Sequence, residues 1–218
     1  MNNALFDLCD CHPIISCEGP TEETMVKKLL AANALVFPAD RLIEVTTKRK
    51  ARDIQDAYLN YDYEWPVCII RILDSRNEQF RLGSLYADRF PVWSYVTHPE
   101  VEVLVIIREG KWQDWKKSRK KPSQYCKEDL GMNRLKQRSF LDEYWDAGSI
   151  AKAARGYRSF SRISKNELCL ADLIRSDFGC CFAGGFLGML PCAWWMLPGC
   201  GASIGAGLNV RHCLGRVS

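Results

Sequence analysis

The spacing of apolar and polar positions separates candidate strands from candidate helices along most of the chain. Pro13 to Cys17 (PIISC) is a short apolar run and predicts a buried strand. Thr21 is the expected N-cap of the helix that follows. Glu22 and Glu23 suit its first turn, and Met25, Val26, Leu29 and Leu30 supply its apolar face. A second apolar stretch covers Leu35 to Phe37 and Leu42 to Val45. Ala51, Ile54 and Tyr58 fall at helical spacing and predict a helix over Lys48 to Asn60, with a basic first turn, KRKAR. Val67 to Leu73 (VCIIRIL) is the clearest strand, nearly continuous in apolar residues, as parallel strands covered on both faces are.

The second half is more ambiguous. His98 to Ile107 reads as a strand by its β-branched residues. It reads as a buried helix by Pro99 at a first helical position with Glu100 and Glu102 in the first turn. The helix is the expectation, running on through Trp112 and Trp115 or breaking at Gly110. Ile150, Ala153, Ala154 and Tyr157 mark another helical face, and Glu167 to Ile174 predicts a last short helix. The pattern as a whole predicts an α/β body with a mostly parallel, Rossmann-like sheet flanked by helices and a helical C-terminal part.

The texture changes near residue 177. From Phe178 to Val210 there is no Asp, Glu, Lys or Arg, and eight of the fifteen glycines fall there. The expected division is therefore a body of residues 1–177 and an uncharged Gly/Cys-rich extension of 178–218. The extension exceeds the ~20 apolar residues needed to span a bilayer, but Gly and Pro interrupt it repeatedly. A poorly ordered extension is expected; a membrane-associated hairpin and a segment docked on the body are the alternatives.

Composition sets the class. The chain has 218 residues, 47% hydrophobic and 26% charged, which excludes a mainly disordered, collagen-like, coiled-coil or polytopic membrane protein. The net charge of +4, from 30 basic and 26 acidic residues, is too mild to identify a nucleic-acid partner by itself. Five of the eleven cysteines fall in the last 39 residues, and the others are scattered. Cys9, Cys11 and His12 lack a second ligand pair at zinc-finger distance, so inert, reduced thiols are expected. Asp7 and Asp10 interrupt any apolar run near the N-terminus, and a cytoplasmic setting is the expectation.

The chemistry lies in the loops after the strands. Glu18 follows the first clear strand, and Asp74 and Glu78 follow the second. In an open parallel sheet, ligands bind outside the carboxyl ends of strands, so these acids are expected on one rim. The run Lys116, Lys117, Ser118, Arg119, Lys120, Lys121, near Trp112, Trp115 and Tyr125, is a candidate basic and aromatic nucleic-acid surface or a solvated face. No Ser-His-Asp set, P-loop or GxGxxG after a strand is visible.

The segment IISCEGPTEETMVKKLL resembles the opening of a Toprim-like domain, in which a strand delivers a Glu-Gly pair and a later acid opens the first helix; here these are Glu18, Gly19 and Glu22. IIRILDSRNEQF resembles the second element, where a buried strand delivers aspartates, and HPEVEVLVII is similar to the Pro-x-x-Glu element of RloB-like and overcoming-lysogenization-defect-like bacterial proteins. The resemblance covers roughly residues 12–174. It implies a Rossmann-like sheet and, in active members, Mg²⁺-dependent phosphodiester cleavage of nucleic acid in bacterial or phage defence. The usual Asp-x-Asp is Asp74-Ser75-Arg76 here, which leaves Glu78 to substitute or the site degenerate. On this resemblance Asp74 and Glu78 would hold Mg²⁺, and Glu18 would be a ligand or a general acid/base. The alternatives are a non-catalytic nucleic-acid or protein-binding module, with Arg76 as a built-in cation paired with Asp74 or Glu18, and a membrane-associated effector acting through its tail.

Overall fold

The structure is a computed structural model, and it describes Leu8, residues 10–76 and residues 78–179. The chain divides into Met1–Ala183 and Gly184–Ser218. Of the extension expected over 178–218, residues 180–218 lie outside the described residues, while Phe178 packs against the core of the body.

Among the described residues the sheet has four strands, all parallel: β1 (His12–Cys17), β2 (Glu44–Thr46), β3 (Val67–Leu73) and β4 (Val92–Val96). Their spatial order is β2-β1-β3-β4. The chain moves from β1 to β2 in one direction and from β3 to β4 in the other. The order therefore reverses between β1 and β3, where an open α/β sheet leaves a crevice at its carboxyl end. This is the expected α/β, Rossmann-like architecture.

Helix α1 (Pro20–Ala31) follows β1. Its N-cap is Gly19 with Pro20 at the first helical position, so the cap expected at Thr21 sits two residues too late. The helix expected over Lys48 to Asn60 begins at Ala51: α2 is Ala51–Ile54 and continues as a π-turn over Gln55–Leu59. Lys48, Arg49 and Lys50 thus precede the helix, and Arg49 reaches the acids of the rim. A short helix α3 (Ser84–Ala87) leads to β4.

The stretch after β4 resolves as a helix, but a later one than expected. His98-Pro99 is a cis peptide, residues 101–102 form a turn, and α4 covers Val103–Arg108 with Glu102 at its N-cap. Gly110 takes positive φ, +68°, and ends the segment there. Trp112–Ser118 is a separate helix, α5, followed by α6 (Pro122–Glu128), α7 (Arg138–Tyr144) and α8 (Ala147–Phe160). Asp146 caps α8 reciprocally with Ser149, and Ile150, Ala153, Ala154 and Tyr157 are buried as their spacing predicts. The last expected helix is a single 3₁₀ turn, Leu170–Leu173.

Strand alternation divides the core. Ile15 and Cys17 of β1 and Cys68, Ile70 and Ile72 of β3 face the larger cluster, with Met25, Val26 and Leu29 of α1, all four residues from Val103 to Ile106, and Ile150, Ala154 and Tyr157 of α8. Ile14, Val67 and Ile69 face a smaller cluster with Ile54, Leu59 and Phe90. Both faces of the central strands are covered, which explains the nearly continuous apolar run of β3.

Candidate functional site

Glu18 directly follows β1, and Asp74 directly follows β3, so the two strands flanking the crevice each deliver one carboxylate. The Glu18 N–H donates to the Ile72 carbonyl at 3.1 Å, which carries the β1–β3 pairing one residue past the strand. The Asp74 N–H in turn donates to Glu18 Oε2 at 2.8 Å. The other Glu18 oxygen, Oε1, lies 2.8 Å from Arg49 Nη2.

Two further acids act on this pair. Glu22, in the first turn of α1, is 6% exposed, and Glu102, at the start of α4, is also 6% exposed. Gly19 leaves room for Glu22: a Cβ at Gly19 would stand 3.3 Å from Glu22 Oε2. Burial raises the Asp74 carboxyl from its ordinary 3.8 to about 7, helped by a hydrogen bond with Glu18 and by the charges of Glu18, Glu22 and Glu102. Burial also raises Glu22, with the charges of Glu18 and Glu102 adding to it. The acids of the rim therefore crowd one another.

Glu78 has a different setting from the one expected. Its Oε1 is 3.0 Å from Nη2 of Arg71, a β3 residue only 1% exposed whose guanidinium stacks 4.2 Å over the Phe80 ring. Its Oε2 is 3.6 Å from Arg49 Nη2. Arg49 thus bridges Glu18 and Glu78. Of the three acids expected to share one ion, Glu18 and Asp74 meet directly, while Glu78 faces two arginines, one of them buried. Among the described residues no three His, Cys, Asp or Glu side chains stand together as a ready metal ligand set, the Cys11 and His12 pair included. The built-in cation of the rim is Arg49. Arg76 is drawn away from Asp74 and Glu18, with its Nε donating to Glu167 Oε1 at 2.7 Å.

The donor chemistry that remains, Glu18 and Asp74, fits Mg²⁺, which binds through one or two carboxylates, waters and substrate phosphate rather than in an all-protein cage. The raised Asp74 carboxyl is what a nearby cation would relieve.

The basic run spans the end of α5 and the start of α6. Lys120 is tied down, 2.6 Å from Asp129 and 3.1 Å from Glu128. Arg119 sits at positive φ, +57°, in the turn between the helices. Lys116 lies 5.5 Å over the Trp112 ring and 5.4 Å over the Trp115 ring, while Lys117, Arg119 and Lys121 are exposed.

Sequence reasoning missed Arg49 as a rim residue, Arg71 as a buried charge, and Glu22 and Glu102 as members of the acid group. Glu22 and the Glu102 of Pro99-x-x-Glu102 were present in the motif resemblance; Arg49 and Arg71 left no local signal. Cys11, Cys17, Cys68, Cys126 and Cys169 are buried, and none of the five is in a disulfide. Among the described residues no helix is long and apolar enough to cross a membrane. Comparison with protein-family models, curated proteins and solved structures finds no match for the chain.

Proposed function

We propose that the protein is a Toprim-like, Mg²⁺-dependent phosphodiesterase acting on nucleic acid, of the bacterial or phage defence kind that its motifs resemble. The observation that carries the reading is the meeting of Glu18 and Asp74 at the point where the sheet order reverses, where burial first, then Glu18, and then two more buried acids raise Asp74 to about 7. In this reading Glu18 and Asp74 hold the ion. When bound, Mg²⁺ supplies charge neutralisation at the scissile phosphate and activates a water. Glu22 and Glu102 keep the local field negative, and Arg49 holds Glu18 in place. Glu78 serves through the arginines rather than as a ligand. The lysines and arginine of the run 116–121 contact backbone phosphate. Buried cysteines that form no disulfide among the described residues suit a cytoplasmic setting.

A second reading rests on Arg49. A guanidinium 2.8 Å from Glu18 and 3.6 Å from Glu78 compensates the acids without an ion, which fits a binding module on a degenerate site. A thermal-shift series at millimolar Mg²⁺ on the wild type and Asp74→Asn separates the two. The phosphodiesterase reading expects Mg²⁺ to stabilise the wild type and not the variant, and Glu18→Gln to abolish cleavage of a labelled oligonucleotide. Equal melting of the wild type with and without Mg²⁺ favours the binding module.

A further inference from the structure

Beside the acid site lies a pocket of about 440 Å³ whose lining contains no acid. Its walls come from three places. Arg76 stands two residues beyond Asp74, His98 follows β4 at the same carboxyl end of the sheet, and Trp112, Lys116, Phe160 and Arg162 come from α5 and the end of α8. The pocket therefore lies at the same carboxyl end of the sheet as Glu18 and Asp74.

Its chemistry is of two kinds. Phe160 is 53% exposed, although it is a large apolar side chain, and its ring lies 5.6 Å from that of Trp112 at 30°. A flat, apolar face left open at the mouth of a pocket is a stacking platform for an aromatic ligand. The pocket is also cationic. Arg76 is engaged by Glu167, but neither Lys116 nor Arg162 has an ion-pair partner among the described residues. Lys116 is held over Trp112 and Trp115, so a cation is fixed beside the aromatic wall. Tyr157 pins the opposite wall: its hydroxyl donates to the His98 carbonyl at 3.0 Å and accepts the His98 N–H at 2.8 Å.

An open ring and fixed positive charge together match a nucleotide: base on the aromatic face, phosphate on the cations. The volume lies in the range of small-ligand sites, about 300–1,000 Å³, which is room for one base with its phosphate. We infer that this pocket seats an unpaired nucleotide of a single-stranded nucleic acid, with the base against Phe160 and the phosphate on Lys116 and Arg162, and so directs the adjoining strand over Glu18 and Asp74. The inference rests on the phosphodiesterase reading for what happens to that strand, but not for its binding.

The test is fluorescence anisotropy with the full chain in EDTA. The probes are a labelled single-stranded oligonucleotide of about a dozen residues, as DNA and as RNA, and a duplex of the same length. The wild type is expected to bind a single strand at least about fivefold more tightly than the duplex. Phe160→Ala is expected to lose about fivefold or more of the single-strand affinity, in keeping with the loss of one stacked base. Lys116→Glu combined with Arg162→Glu is expected to lose at least as much and to lower the salt slope of binding. Both variants change exposed side chains, and their melting temperatures are read alongside. Duplex binding as tight as single-strand binding overturns the inference, as does affinity within twofold of wild type in the charge-reversed variant, or no binding of any probe. Because Mg²⁺ is absent, these results are independent of the ion. A wild type that binds single strands but shows no Mg²⁺ shift removes the phosphodiesterase reading and keeps the pocket.

Discussion

Glu18 accepts the backbone N–H of Asp74 at 2.8 Å across 56 residues of sequence. This one bond joins the carboxyl ends of β1 and β3 and orients one carboxylate against the residue that carries the other. The approach of two acids is tolerated because one Glu18 oxygen faces Arg49 and because Asp74 holds its proton up to about pH 7.

The Asp74 shift fixes the sign of a pH effect. Between its ordinary 3.8 and about 7, Asp74 binds a proton in the folded protein that it releases in the unfolded chain. The group's contribution is most favourable at acid pH and declines as pH rises toward 7, with little further change above. Asp74→Asn removes that slope. Without Mg²⁺, the variant's melting temperature is expected to gain on the wild type between pH 4 and 8, reaching ~3 °C or more at pH 8. Parallel melting curves across that range would count against a raised Asp74.

Arg49 is expected to compete with a cation. Its side chain is 43% exposed, so its ion pairs contribute little stability, about 1 kcal/mol or less. Arg49→Gln leaves Glu18 less compensated. The variant is expected to melt slightly below wild type in EDTA and to show a larger Mg²⁺ shift than wild type. The same deficit with and without Mg²⁺ would place Arg49 in a structural role alone.

Tyr157→Phe tests the pinning of the rim. The hydroxyl satisfies both backbone groups of His98, and its loss leaves a part-buried N–H and carbonyl without that partner. The expected cost is about 1–3 kcal/mol, measured by urea denaturation, with weaker single-strand binding because the pocket wall loosens. Unchanged stability would show that water replaces the hydroxyl at no cost.

Gly156→Ala sets two rules against each other. Helix propensity favours alanine by about 1 kcal/mol. In α8, however, a Cβ at Gly156 would stand 2.7 Å from Ile107 Cγ2 of α4, too close to fit without a shift. Overpacking is expected to win, with a net loss of about 1–3 kcal/mol. A stabilised variant would mean that the α4–α8 contact yields easily.

The strands β1 and β3 and the helix α8 are legible in the sequence, because an apolar run covered on both faces and a 3.6-residue period are local properties of the chain. The acids after the strands are legible for the same reason, since a strand end dictates where its loop begins. Strand β4 is not. It is an edge strand with Val92, Trp93 and Ser94 only partly covered, so it lacks both the continuous run and clean alternation. Nor is the partner of any charge legible. Arg49 reads as part of a basic helix turn and Arg76 as a neighbour of Asp74, yet Arg49 reaches Glu18 and Arg76 reaches Glu167. Ion pairs and pocket walls depend on which loops the strand order β2-β1-β3-β4 brings side by side. Nothing in the local pattern of residues encodes that order; the packing of the whole sheet against its helices decides it.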